Sequence, residues 1–257
     1  MPAEIRMIVT DLDRTLLRSD NTISEYTADV LRRCQARGIF VVFATARYFR
    51  TIEEWVVPAI GFQPDIAISS NGAYAYGEGK VRYQALIEPQ LASQIIAEIR
   101  ARRGQITVGT SRLRLSERPI EASHISFSAL CEFQTPITED VHYIDFRGGD
   151  HIAEDIGRLF PQVRLQSYVD SLTTFVHKDA YKGLALSEII RQLHMNKENV
   201  VGFGDDINDL DFLDVCGTKI AVANAVAKVK AAADFVCGSN DGDGPARWLA
   251  EHVLRES

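Results

Sequence analysis

Short apolar runs alternate with amphipathic stretches through the first third of the chain. Residues 5–10 (Ile-Arg-Met-Ile-Val-Thr) are almost continuously apolar, which suits a strand buried on both faces. Over residues 24–37, Tyr26, Ala28, Val30, Leu31 and Cys34 fall on one helical face. Ser24 serves as N-cap and Gly38 as stop. Residues 39–44 predict a second buried strand, 47–60 a second helix and 66–69 a third strand. Strand–helix–strand–helix–strand order predicts parallel βαβ units.

The pattern changes after Asn71-Gly72. Residues 73–76 and 81–83, separated by Gly77-Glu78-Gly79-Lys80, resemble a hairpin. A helix is predicted over 91–103, and then short strands over 106–108, 112–115, 141–146 and 163–167, with a helix over 152–160. Residues 111–136 are the least readable part. The α/β rhythm returns with a helix over 182–194, strands over 200–204, 219–222 and 235–236, and helices over 225–232 and 245–254. The architecture expected is one discontinuous α/β domain, residues 1–79 and 181–257. Residues 80–180 form an inserted α+β cap over its active face, with hinges near 72–80 and 179–183.

The chain has 257 residues, enough for a large core without staples. Charged residues make up 25% and the formal net charge is -7, which disfavours a general nucleic-acid binder but leaves room for a local cationic pocket. Cys34, Cys131, Cys216 and Cys237 form no C-x-x-C pair and read as thiols of a reducing compartment. No apolar run is long enough to span a bilayer, and the first residues lack the order of a signal peptide. A soluble cytoplasmic protein is therefore expected.

Candidate chemistry gathers at predicted strand ends. Asp11-Leu12-Asp13-Arg14-Thr15-Leu16 follows the first buried strand, where ligands bind in open parallel sheets. Asp11 and Asp13 either share a site, in which case a hard cation such as Mg²⁺ would keep both ionised, or they sit in a solvated turn. Asp205-Asp206-Ile207-Asn208-Asp209 follows another buried strand. A helix cap needs one such residue, and here four of five positions are acidic or amide, which favours metal chemistry. Thr45, in Ala44-Thr45-Ala46-Arg47, is placed for phosphate at a helix N-terminus, although alone it reads as an ordinary N-cap. Lys182 opens a helix. It would neutralise a transferring phosphoryl group, although alone it reads as a surface lysine.

Together these segments resemble the haloacid dehalogenase-like phosphohydrolases, within them the Cof-type branch with a C2-type cap. The matching residues are Asp11-x-Asp13-x-Thr15, Thr45, Lys182 and Gly204-Asp205-x-x-Asn208-Asp209. Weaker matches are Ser70-Asn71-Gly72-Ala73, Ala223-Asn224-Ala225 and residues 239–244. Their order and spacing carry the resemblance. It implies a Rossmann-like parallel-sheet core with helices on both faces and a Mg²⁺-dependent phosphomonoesterase acting on a small phosphorylated metabolite, a sugar phosphate or phosphorylated cofactor. It implies Asp11 as nucleophile and Asp13 as acid and base. The Mg²⁺ would be held by Asp11, Asp205 and the carbonyl of Asp13, with Asp209 in support. Phosphate contacts would come from Thr45, Lys182, Asn208 and the N–H groups of Leu12 and Ala46. Ala46 stands where the family often has glycine, which would make a left-handed backbone uncomfortable there.

In the cap, Arg112 and Arg114 would share a strand face and read a second anionic group, or form a solvated basic face. His177 is a candidate for the cleft between cap and core. Trp55, Tyr74, Tyr76 and Tyr83 read as packing rather than as ring-stacking groups. The competing functions are a phosphomutase on the same scaffold and a non-catalytic metabolite sensor. The oligomeric state is not legible.

Overall fold

The computed structural model describes residues 4–119, 127–167 and 172–255. Part of the poorly readable stretch 111–136 lies outside the described residues. The chain divides into two units, Met1–Tyr83 with Tyr181–Ser257, and Gln84–Ala180.

The first unit is built on an eight-stranded sheet. Its order is Phe235–Val236, Thr218–Ala221, Val200–Gly204, Met7–Thr10, Phe40–Ala44, Ile66–Ser69, Tyr74–Gly77 and Lys80–Gln84. The first six run parallel, and Tyr74–Gly77 turns back antiparallel. Alternation along each strand feeds two cores, as a strand's period of two requires. Ile8, Val41, Phe43, Val201 and Phe203 pack on one side, with Val30, Leu31 and Leu249 from the helices Glu25–Ala36 and Gly244–His252. Met7, Val9, Val42 and Val200 pack on the other, with Leu186 and Ile189 from the helix Lys182–Gln192. Helices therefore cover both faces, as expected from the near-continuous apolar strands.

Register decides where the chemistry lies. Thr10 is paired with Phe43 on one side and Phe203 on the other. Asp11, Thr45 and Asp205, the first residues beyond the strands that end at Thr10, Ala44 and Gly204, therefore leave the sheet along one carboxyl edge. The helix after Phe40–Ala44 begins at Phe49 rather than at Arg47, because residues 45–48 first make a loop: the Thr45 hydroxyl accepts the Arg47 N–H at 3.1 Å. Residues 49–60 are then helical with one wide turn, Ile52–Val56, and stop at the left-handed Gly61. The expected hinge at 72–80 is taken up by the hairpin that extends the sheet, so the first unit runs to Tyr83.

The second unit is a six-stranded sheet in the order Val163–Ser167, Leu172–His177, Val141–Arg147, Gln105–Thr110, Arg114–Ser116 and Ser128–Leu130. The helices Pro89–Ala101 and Asp150–Leu159 cover one face and bury Ile106, Val108, Ile144, Phe146 and Phe175. The sequence pattern predicts no strand at Leu172–His177; its run Leu-Thr-Thr-Phe-Val-His mixes apolar and hydroxyl side chains, and its strand pairing comes from two neighbours. The predicted strand at 112–115 needs correction. Residues 111–113 form a turn in which the Thr110 hydroxyl accepts the N–H groups of Arg112 and Leu113 at 3.2 Å, and the strand starts at Arg114.

Candidate active site

Asp11 extends directly from the central strand Met7–Thr10, with its N–H donating to the Phe203 carbonyl at 3.0 Å. The chain then turns tightly. Leu12 and Leu16 bury their side chains in the core, and Arg14 takes a left-handed φ of 60°. With its side chain in the core, Leu12 has only its backbone to offer at the edge. Two loops brace this turn. Asn224 donates to the Arg14 carbonyl at 2.7 Å and Asn240 to the Leu17 carbonyl at 3.0 Å, while Asp243 takes the Arg18 guanidinium through both its oxygens. Asn224, Asn240 and Asp243 belong to the weaker sequence matches, and all three hold the loop that presents Asp11.

Asp11, Asp205 and Asp209 each offer a carboxylate oxygen, and these oxygens lie within 4.8 Å of one another; all three residues are buried. Lys182, 1% exposed, donates its Nζ to Asp11 and to Asp209, each at 2.8 Å. The Thr15 hydroxyl donates to Asp205 at 2.9 Å. Asp209 also takes the N–H groups of Asp205 and Asp206 at 2.9 and 3.1 Å. It thus closes the acidic loop while touching the lysine. The loop is also a helix cap, since Asp206 and Asp209 make a capping box around the turn Ile207–Asp209. Asn208 sits in that turn, beside the cluster.

The electrostatics follow from three buried carboxylates facing one ammonium. Burial pushes Asp11 well up, repulsion from Asp209 adds to it, and Lys182 pulls it partly back. Burial and Asp209 push Asp205 up to about 6. Burial alone would lower Lys182, but Asp11 and Asp209 outweigh it, and the lysine stays charged. Hard oxygen donors with a deficit of positive charge suit a divalent cation.

Asp13 is outside this cluster. Its carboxylate is half exposed and is gripped by Arg47, with Nε donating at 2.9 Å to one oxygen and Nη2 bound to the other. Arg47 is in turn held by Asn21 at 2.8 Å and lies 4.9 Å over the Trp55 ring. The sequence pattern gives Arg47 no partner; its place within the Thr45 loop is the signal that points to it. Trp55 packs under Arg47, and Tyr74 lies against Phe49.

Thr45 is fully buried, and its hydroxyl turns the loop rather than capping a helix. Ala46 is not among the left-handed residues, so the missing glycine costs no strain there. The left-handed positions fall instead at Ser70, Asn71 and Gly72. Ser70 N–H donates to the Arg47 carbonyl and Asn71 N–H to that of Thr45, at 2.8 and 3.2 Å. Gly72, at φ 91°, presses so close that a Cβ would sit 2.2 Å from the Tyr181 carbonyl carbon and 2.5 Å from the Lys182 nitrogen. This loop therefore fixes the start of the lysine helix. Gly72→Ala should displace Lys182 and lower turnover at least about tenfold, with a loss of roughly 1–3 kcal/mol in urea unfolding. Unchanged turnover would show that Gly72 does not set the lysine's position.

The proposed substrate residues of the second unit do not form a shared strand face. Arg112 lies in the turn, exposed, 3.6 Å from Glu139. Arg114 lies in the strand, half-buried, 3.7 Å from Asp145. His177 ends the strand Leu172–His177, where its Nδ1 accepts the Asp179 N–H at 3.2 Å.

The family model of haloacid dehalogenase-like hydrolases matches residues 8–249. The chain belongs to the haloacid dehalogenase-like hydrolases. Among relatives of this hydrolase, the phosphatase YwpJ of Bacillus subtilis is 25% identical, over 97% of this chain and 100% of its own. The 5-amino-6-(5-phospho-D-ribitylamino)uracil phosphatase YitU of the same organism is 23% identical, over 96% and 97%. A haloacid dehalogenase-like hydrolase from Bacteroides thetaiotaomicron shares the fold with a TM-score of 0.86 at 23% identity, covering 96% of this chain and 99% of its own. The expected family, α/β fold and phosphatase class of this hydrolase stand on these matches. Among the described residues, no helix is long and apolar enough to cross a membrane.

Proposed function

We propose that this hydrolase is a Mg²⁺-dependent phosphomonoesterase that acts on a small phosphorylated metabolite through an aspartyl-phosphate. The observation that carries this reading is the division of labour between two carboxylates two residues apart. Asp11 is buried on Lys182 among carboxylates that could hold a cation, whereas Asp13 stays half exposed in the grip of Arg47.

Asp11 would attack phosphorus while the ester P–O bond breaks, and Asp13 would deliver its proton to the leaving oxygen. Asp13 would then take a proton from the water that cleaves the acyl phosphate, which returns Asp11 and releases phosphate. Lys182, Thr45, Asn208 and the N–H groups of Leu12 and Ala46 would hold the phosphoryl oxygens, since such transfer depends on alignment and charge neutralisation. Mg²⁺, held by Asp11, Asp205 and the Asp13 carbonyl with Asp209 in support, would screen the charge on those oxygens.

Phosphate release from an aryl phosphate, then from a panel of sugar, polyol and cofactor phosphates, tests the reading. Two relatives are named for a phosphorylated ribitylamino-uracil, which puts polyol phosphates early in that panel. Chelation should abolish release and Mg²⁺ restore it. Ca²⁺ should bind without supporting turnover, because its looser, larger coordination misplaces the reacting groups. Full activity in EDTA would remove the metal from the scheme. A bisphosphate-dependent isomerisation with little phosphate released would point to a mutase.

A further inference from the structure

The sheet of residues 84–180 has two unlike faces. One is closed by helices over Ile106, Val108, Ile144, Phe146 and Phe175. On the other, strand register lines up a polar row: Ser116 opposite Thr107, Thr107 opposite Asp145, Asp145 opposite Thr174, and Thr174 opposite Gln166. A solvated sheet face needs no buried charge, yet Asp145 is largely buried at the centre of this row. Burial pushes its carboxyl up, against the Thr174 hydroxyl, which donates to it at 2.6 Å. Arg114 approaches it only to 3.7 Å, and the Arg114 Nε is buried with no hydrogen-bond partner.

A cavity of about 120 Å³ opens beside the row, lined by Thr107, Arg114, Ser116, Arg118, Asp145 and Arg147 among others. That is room for about four waters, or for one carboxylate or phosphate group. Among the described residues, three guanidiniums line it against two carboxylates, and one of these, Glu117, is drawn to Arg100 at 3.7 Å. Arg118 is matched by a neutral group, the Gln105 amide, whose oxygen can accept from it at 3.0 Å. Guanidinium forks meet paired oxyanion oxygens well, and the hydroxyls of Thr107 and Ser116 add short donors.

We propose that this pocket binds the oxyanion group of a small metabolite, a carboxylate or a phosphate. Arg114, Arg118 and Arg147 carry the charge recognition, and Asp145 accepts a hydroxyl carried next to the anion. Two sources supply that chemistry: a second anionic group on the phosphoester substrate, or a separate metabolite. The first deepens the phosphatase reading and rests on it; binding itself does not.

Two measurements on the full chain separate these cases. Calorimetry with succinate in metal-free buffer should give binding in the millimolar range, weakened at least tenfold in Arg114→Met and in Arg147→Met. Arg147 is exposed, so its variant keeps the test alive if the Arg114 variant fails to fold. The second measurement is the ratio of kcat/KM for 6-phosphogluconate to that for glucose 6-phosphate. If the variants lose succinate and level the ratio, the anion is the substrate's own. If they lose succinate and keep the ratio, it belongs to a separate metabolite. No heat with the wild type, or equal heat in folded variants, overturns the site. Arginine-dependent succinate binding without phosphate release from any ester would instead overturn the phosphatase reading and leave the site standing.

Discussion

Asp11→Asn should stop phosphate release while leaving the fold intact. Loss of a covalent nucleophile typically costs about 10⁴-fold or more in turnover. Asparagine keeps an oxygen that can accept from the Lys182 ammonium, now 2.8 Å from Asp11. It also removes one charge from a buried, mutually repelling trio. Because burial and Asp209 already disfavour the ionised Asp11, its neutral replacement should not destabilise the protein. Thermal unfolding should therefore match wild type, or rise slightly, alongside an inactive assay. Near-wild-type turnover would refute the nucleophile assignment, and an unfolded variant would show that Asp11 is needed for packing rather than chemistry.

Lys182→Met should fail in both respects. The side chain is buried and holds two carboxylates, and removing one partner of a buried pair leaves uncompensated charge. A loss of about 3–5 kcal/mol in metal-free urea unfolding follows. Mg²⁺ should return part of that stability by supplying the missing positive charge, but not the lysine's contact with a phosphoryl oxygen. Turnover should then stay about 10²–10³-fold low even at saturating Mg²⁺. Wild-type stability in the absence of metal would show that the ammonium is not what balances Asp11 and Asp209.

How much of this was legible in the chain depends on how local the cause is. The buried strands at residues 7–10, 40–44 and 200–204 announce themselves because both their faces are apolar, and the residue after each is where a parallel sheet binds ligand. Asp11, Thr45 and Asp205 could thus be named from spacing. Lys182 could not be told from a surface lysine on its own, since its burial comes from Asp11 and Asp209, far away in sequence. Arg47 on Asp13 is a contact across 34 positions that no periodicity encodes. The strand at Leu172–His177 was hidden because its two threonines interrupt the apolar run and point to opposite faces, Thr173 toward Asp150 and Thr174 into the polar row. Thr174 reads as an exposed position until Asp145 is placed opposite it. Arg112 was misplaced because alternation over a few residues does not distinguish a strand from the turn that precedes it.

The central claim is that Asp11 takes up the phosphoryl group. Acid quenching of the enzyme during turnover of an aryl phosphate, followed by peptide mass spectrometry, tests it directly. The account predicts one added phosphoryl mass on the peptide containing Asp11, dependent on Mg²⁺ and absent from Asp11→Asn. Turnover with a phosphoryl adduct on another residue, or with none trapped under conditions where release of the aryl alcohol shows a burst, would contradict it.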